Sequence, residues 1–316
     1  MSNIDQLSAK LFLTDGGAET TLVFHEGFDL PYFAAFPLLD TDRGRAALDA
    51  YYRKYLAIAI KAKTGFILES ATWRAHQDYT EKLGYDRREA DRVNHDGIKM
   101  LKALREQYET ADSPILISGC VGPRGDAYQT GSCMTPEDAE RYHRPQIESL
   151  AAAGADLVSA FTMNYAEETI GFARAARAVG IPSVISFTTE TDGRLPSGEA
   201  LSDAIKRVDA ATDSAPLYYM INCAHPDHFA SALETGEAWV KRIKGIRANA
   251  SRLSHAELDN SEELDSGNPE ELGQLYRGLR EQFPQFTILG GCCGTDERHI
   301  EQICHCCVSA PLSERH

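Results

Sequence analysis

Apolar runs rich in β-branched residues alternate along the chain with amphipathic stretches whose apolar positions recur every three or four residues. The runs fall at 11–15, 65–70, 114–118, 155–161, 182–187, 217–222, 243–247 and 286–290, the length of strands buried on both faces. Between them lie segments such as ALDAYYRKYLAIAIKAK and PEDAERYHRPQIESLAAAG, which turn one apolar stripe to the strands and a charged face to water. The punctuation agrees with this reading. Thr135-Pro136-Glu137-Asp138 supplies a cap, a proline at the first helical turn and acids against the helix dipole. Ala153-Gly154-Ala155 and Val179-Gly180-Ile181-Pro182 stop a helix and feed the next run. Eight strand–helix alternations in 316 residues predict a (β/α)8 TIM barrel in preference to a doubly wound sheet. No composition shift, repeat or low-complexity tract divides the chain. Residues 1–316 are therefore expected to form one domain, with a polar excursion at 248–269 and a short cysteine-rich tail.

Composition narrows the functional classes. With 47 Asp and Glu against 32 Lys and Arg, the net charge of -15 argues against coating nucleic acid or anionic lipid. No apolar run approaches the roughly 20 residues that span a bilayer. The start MSNIDQLSAKLFLTDGG lacks a basic region followed by a long apolar one, so a cytoplasmic location is expected. In that reducing compartment the eight cysteines should be thiols, and clusters of them point to metal binding or catalysis.

Two cysteines, Cys292 and Cys293, stand in GGCCG at the mouth of the eighth predicted strand, and Cys223 follows the sixth in YYMINCAH. In a barrel these ends share the carboxyl-terminal face, where active sites of this fold are built. Three thiolates with a fourth position open suit a catalytic zinc ion, able to lower the pKa of an incoming thiol. Gly290, Gly291 and Gly294 are expected to let the backbone turn so that adjacent cysteines face one ion. Spacing alone leaves the blander option open, because buried cysteines also serve as small apolar residues.

GGCCG, the distant INC, DGG at the first strand, SGCVGPRGDAY, YHRPQIESLAAAGADLV and SGEALSDAI together resemble the zinc-dependent homocysteine S-methyltransferase family, from about Leu11 to Ile303. The resemblance implies a (β/α)8 barrel and Zn2+ on Cys223, Cys292 and Cys293, which then also serve as the catalytic centre. It further implies methyl transfer from a small sulfonium or quaternary ammonium donor to homocysteine, forming methionine. It assigns the amino-acid substrate to Asp15 and Gly16 at strand one and to the Phe161-Thr162 position of strand four. There the sequence departs from the family. ADLVSAFT puts Phe161 where a glutamate contacts the substrate ammonium, while FILESATW puts Glu69 at the end of strand two. Either the carboxylate has moved to Glu69, or the acceptor is another thiol. The chain ends within a few residues of the barrel and shows no folate or cobalamin module, so S-methylmethionine, S-adenosylmethionine or a betaine is the expected donor. Oligomerisation is open.

Other features are read more plainly. His225 and His228 are expected to cap or face solvent rather than ligate, and Cys304, Cys306 and Cys307 to be inert or oxidation-prone thiols on a helix. Burial or chance accounts for Cys120 and Cys133. GCVGPRG lacks the lysine of a phosphate loop and reads as rim turns. Apart from the resemblance, the strand-end aromatics Trp73, Phe161 and Tyr165 read as plain packing ahead of a pocket wall for a cationic donor. A non-catalytic zinc or redox sensor, with the tail cysteines responsive, is the alternative outside enzymology.

Overall fold

The computed structural model describes residues 3–8, 10–261 and 263–309; residues 310–316 of the expected domain lie outside it. Eight parallel strands close into a barrel in sequence order. They are β1 (Phe12–Leu13), β2 (Gly65–Glu69), β3 (Ile115–Val121), β4 (Leu157–Met163), β5 (Ser183–Phe187), β6 (Tyr219–Asn222), β7 (Ile243–Ala248) and β8 (Ile288–Gly291). A helix follows each: α1 (Asp42–Ala62), α2 (Arg87–Tyr108), α3 (Pro136–Ala153), α4 (Ala166–Val179), α5 (Leu201–Thr212), α6 (Pro226–Phe229), α7 (Pro269–Gln282) and α8 (Glu297–Cys304). The helix signals are used as the sequence suggests. Thr135 caps α3 by accepting from the Asp138 N–H, with Pro136 in the first turn. Gly154 and Gly180 end α3 and α4 at φ 93° and 83°, a left-handed conformation that glycine adopts without a Cβ penalty.

Strand alternation builds two cores. Outward residues such as Leu68, Ile117, Ala160, Ile185, Ile221 and Ile246 pack under the helices. Inward residues Phe12, Ile67, Leu116, Leu157, Val184, Met220 and Ile288 plug the barrel. The plug needs glycine on two strands: a Cβ at Gly65 would enter the Phe12 ring, and one at Gly245 would strike Met220. Above the plug the inward positions become polar, with Ser118 and Ser159 hydroxyls 2.7 Å apart and Glu69, Ser186, Asn222 and Arg247 all buried. That change of polarity fixes where chemistry can occur, because buried polar groups persist only where they are paired or meet a ligand.

Candidate functional site

The sulfurs of Cys223, Cys292 and Cys293 all lie within 4.8 Å of one another. Backbone hydrogen bonds at the end of β7 stitch the two cysteine segments together. Cys223 N–H donates to Arg247 O at 3.1 Å, Cys292 N–H to Ala248 O at 2.9 Å, and Ala250 N–H to Cys293 O at 3.1 Å. Asn249 Nδ2 adds a bond to Cys223 O at 3.1 Å. Cys223 sits at φ 54°, a conformation that costs a non-glycine residue about 1–3 kcal/mol and that the packed strand ends must hold. Glycine enters differently from the expectation. Gly294 does turn, at φ 77°. Gly290 and Gly291 instead permit close approach, since a Cβ on either would collide with the side chains of Thr14 or Thr295.

One expectation is corrected. Cys223 and Cys292 do not stand as separate thiols: their sulfurs lie at bonding distance, with Cα atoms 5.4 Å apart. Sulfurs aimed at one point by rigid strand ends meet when they face each other, and a metal centre requires the same convergence. The donor set fits zinc. Tetrahedral bonds near 2.3 Å place ligand sulfurs about 3.8 Å apart, and Cys223 Sγ and Cys293 Sγ are 3.9 Å apart. Among the described residues this is the one cluster of three or more metal-ligating side chains with suitable spacing. His225 and His228 stay outside it. His225 caps α6 by accepting from Asp227 N–H, and His228 Nε2 meets Arg252 O at 2.9 Å.

A cavity of about 580 Å³ opens at this end of the barrel, and Asp15, Gly16, Glu69, Phe161, Thr162 and the three cysteines all line it. Asp15 is held from both sides: Arg247 Nη2 lies 2.6 Å from Oδ1, and Tyr51 OH donates to Oδ2 at 3.0 Å. Burial pushes its pKa up, against the pull of Arg247 and Tyr51. Gly16 O accepts from Arg247 Nη2 at 3.1 Å and lies 3.0 Å from Tyr51 OH, whose one proton it shares with Asp15. Glu69 accepts from Ser159 Oγ at 3.4 Å, while its Oε2 is buried without a hydrogen-bond partner. Burial raises its pKa to about 7, opposed by Arg247 and the Ser118 and Ser159 hydroxyls. Thr162, at φ 64°, gives its N–H to Asn222 Oδ1 at 2.9 Å and accepts from Asn222 Nδ2 at 2.9 Å. Asn222 Nδ2 also lies 3.8 Å from Cys292 Sγ, so one amide ties the β4 turn to the cysteine cluster.

Several participants escaped the sequence reading. Arg247 is central: besides Asp15 it serves Gly291 O at 3.0 Å, and its guanidinium lies 4.9 Å from the Phe161 ring centroid. A lone arginine near the end of an apolar run was the available signal. Glu19, whose carboxyl is raised by burial with Asp15 adding to the shift, and Arg74 also line the cavity. So do Cys120 and Trp73, the ring of Trp73 against the expectation of plain packing, and Phe161, which the resemblance sets beside the substrate. Tyr165 instead accepts from Met134 N–H at 3.0 Å. The polar excursion contributes Ser251, His255, Leu258 and Asp265 to the wall, and the His255 ring stacks on Tyr128 at 3.9 Å, joining the loops after β7 and β3. Of the tail, Cys304, Cys306 and Cys307 are buried, and burial pushes the Cys304 thiol up to about 11 and that of Cys307 to about 12.

Fold and geometry together define a parallel (β/α)8 barrel with a cluster of three cysteines that could hold a metal ion at its carboxyl-terminal mouth. Comparison with known proteins carries this to a family. The family model for homocysteine S-methyltransferase matches residues 12–307, and the chain belongs to that family. It is 23% identical to a homocysteine S-methyltransferase of Zea mays, over 92% of this chain and 87% of the maize protein. It is 24% identical to a selenocysteine Se-methyltransferase of Brassica oleracea var. italica over the same shares. The crystal structure of the homocysteine methyltransferase MmuM from Escherichia coli in its oxidized form superposes with a TM-score of 0.75 at 20% identity. That match covers 96% of this chain and 99% of MmuM. The metallated form gives 0.69 at 20% identity, over 93% and 95% of the two chains. At this identity the structural likeness bears on the fold.

Proposed function

We propose that the protein is a zinc-dependent methyltransferase that moves a methyl group from a small sulfonium or quaternary ammonium donor to the thiol of homocysteine, giving methionine, and that residues 1–316 act as one domain in the cytoplasm. The observation that carries this reading is the convergence of three cysteine sulfurs within 4.8 Å of one another in the wall of a cavity that also holds Asp15, Glu19 and Glu69. Among the described residues no helix is long and apolar enough to cross a membrane. Family membership supports a thiol acceptor.

Once the Cys223–Cys292 pair is reduced to two thiolates, Cys223, Cys292 and Cys293 would hold zinc, which would supply Lewis acidity to lower the pKa of an entering thiol and keep the acceptor sulfur nucleophilic at neutral pH. The chain's own residues do the positioning. Asp15, already oriented by Arg247 and Tyr51, and Glu69 offer carboxylates to the acceptor's ammonium. Trp73 and Phe161 present rings to the positive charge of the donor. Excursion residues such as His255 and Leu258 wall the cavity and restrict water around the reacting atoms. With acceptor sulfur and methyl carbon in line, the donor's C–S or C–N bond breaks as the new C–S bond forms. The bonding pair stays on the donor heteroatom, which becomes neutral, and the thiol proton passes to solvent. Alignment is the main service the protein provides.

Phe161 at the family's glutamate position favours a second reading, the same centre acting on another thiol or a selenol. Zinc-loaded protein would be incubated with homocysteine, cysteine and selenocysteine, each against S-methylmethionine, S-adenosylmethionine and glycine betaine, with products identified by mass spectrometry. Methionine formed from homocysteine at the highest kcat/KM supports the first reading. A tenfold preference for another acceptor establishes the second, and no product with any pair rejects the transferase.

A further inference from the structure

Arg74 lines the cavity, yet the transfer described above gives it nothing to do. Its side chain is only 6% exposed. The guanidinium lies 3.9 Å from the Trp73 ring centroid and 4.3 Å from that of Tyr79. Nη1 donates to Pro123 O at 3.2 Å and to Gly125 O at 2.6 Å, while Nε is buried with no hydrogen-bond partner. Among the described residues no carboxylate forms an ion pair with it. Asp126 and Glu19 act on it only through longer-range charge, and burial lowers its pKa. The contrast with Arg247 is direct, since that second buried guanidinium holds Asp15 at 2.6 Å.

A buried cation without a counter-ion is costly to keep, and proteins keep one where a ligand supplies the missing charge. We propose that Arg74 is the carboxylate anchor of the substrate cavity, receiving the carboxylate of an amino-acid substrate at the Nε–Nη2 edge that its carbonyl contacts leave without a partner. Arginine suits this because its planar fork matches a carboxylate with two parallel hydrogen bonds. The anchor is prepared in advance. Trp73 and Tyr79 flank the guanidinium, the two carbonyls of the loop after β3 fix its plane, and Gly122 N–H holds Trp73 O at 2.7 Å. Asp15 and Glu69 with Arg74, all in the wall of one cavity, would together read a zwitterion and turn away the corresponding amine or alcohol. This inference rests on the methyltransferase reading, in which acceptor and donor both carry carboxylates.

The test therefore has a binding arm that needs no turnover. Calorimetry on zinc-loaded wild type and Arg74→Gln would compare methionine with methioninol for the acceptor side. S-methylmethionine and its alcohol would be compared for the donor side. For one of the two carboxylates, Arg74→Gln should lose roughly ten- to hundredfold in affinity, the worth of one charge-assisted pair. The matching alcohol should bind wild type and variant alike. The KM of that same substrate should rise with kcat changed far less, naming the source of the carboxylate. Equal methionine and S-methylmethionine binding by wild type and Arg74→Gln overturns the proposal, as does an equal loss for acid and alcohol. If Arg74→Gln does not fold, Arg74→Lys carries the same comparison, because it keeps the charge and removes the fork. Failure of wild type to methylate any acceptor would defeat the transferase reading while leaving the binding arm interpretable.

Discussion

Replacing Glu69 with glutamine separates a buried charge from a buried shape. The carboxyl is 6% exposed, and burial lifts its pKa from 4.5 to about 7. At about 1.36 kcal/mol per unit, this difference is worth about 3 kcal/mol. The folded-state pKa lies above the unfolded value, so the native protein holds this proton more tightly than the unfolded chain does. Its stabilising contribution is fully present below pH 4.5 and is lost as pH rises through 7. Glu69→Gln keeps a polar, nearly isosteric group and cannot ionise. The stability of wild type minus that of Glu69→Gln should therefore fall by about 3 kcal/mol between pH 4.5 and pH 8, with the variant the more stable at the alkaline end. Unfolding entropy of about 2.1 cal/mol/K per residue gives roughly 0.7 kcal/mol/K for 316 residues, so the difference in Tm should move by roughly 4–5 °C. Scanning calorimetry of both proteins at constant ionic strength reads this directly, because taking the difference cancels other titrating groups. Function should move the opposite way. The acceptor KM of wild type should rise as pH drops below 7, and that of the variant should be high and flat. Parallel stability profiles for the two proteins would refute the assignment of a buried, proton-hungry carboxyl at this position.

Two further substitutions probe the site. Cys223→Ser should reduce bound zinc from one per chain to well below that, measured by atomic absorption after dialysis, because the remaining cysteine pair lacks the third thiolate. A variant that retained one zinc would place the ion elsewhere. Arg247→Met leaves Asp15 buried without its 2.6 Å partner and should cost about 3–5 kcal/mol in denaturant unfolding. Combining it with Asp15→Asn should cost less than the sum of the single changes; strict additivity would mean the pair does not interact.

Much of the barrel is legible because parallel strands under helices need uninterrupted apolar runs, and those runs appear in the sequence at the right spacing. Boundaries slip where side-chain contacts decide them. The third strand is expected to stop at Ser118 but continues to Val121. Gly119 is a strand residue whose absent Cβ makes room for Leu150 of α3. The fourth strand likewise runs on to Met163. The cysteine centre is legible for a different reason: soft ligands are rare, and strand order alone brings them to one face. Arg247 and Arg74 are not legible in that way. An arginine in a strand or loop takes its meaning from what it meets, and Gly16, which Arg247 serves, is 231 residues away in the chain.

Under the proposed reading, in which Glu69 meets the acceptor's ammonium, the charge balance of the barrel mouth accounts for Phe161 at the position where the resemblance implies a glutamate. Asp15 and Glu69 already place two carboxyls around Arg247, and Asp15's charge helps to raise the pKa of Glu69. A third carboxylate at position 161 would stand beside the same guanidinium, in a site where burial already dominates every titration. Three acids against one cation in a low-dielectric pocket cannot all ionise, so at neutral pH one would hold its proton and lose its value as an ammonium reader. An aromatic ring avoids that conflict. Its centroid lies 4.9 Å from the Arg247 guanidinium without competing for its charge, and among the described residues Glu69 is left without an ion-pair contact. If Glu69 meets the acceptor's ammonium, as proposed, the two strands trade the role rather than duplicate it, and a glutamate on β2 with a phenylalanine on β4 is one substitution in physical terms.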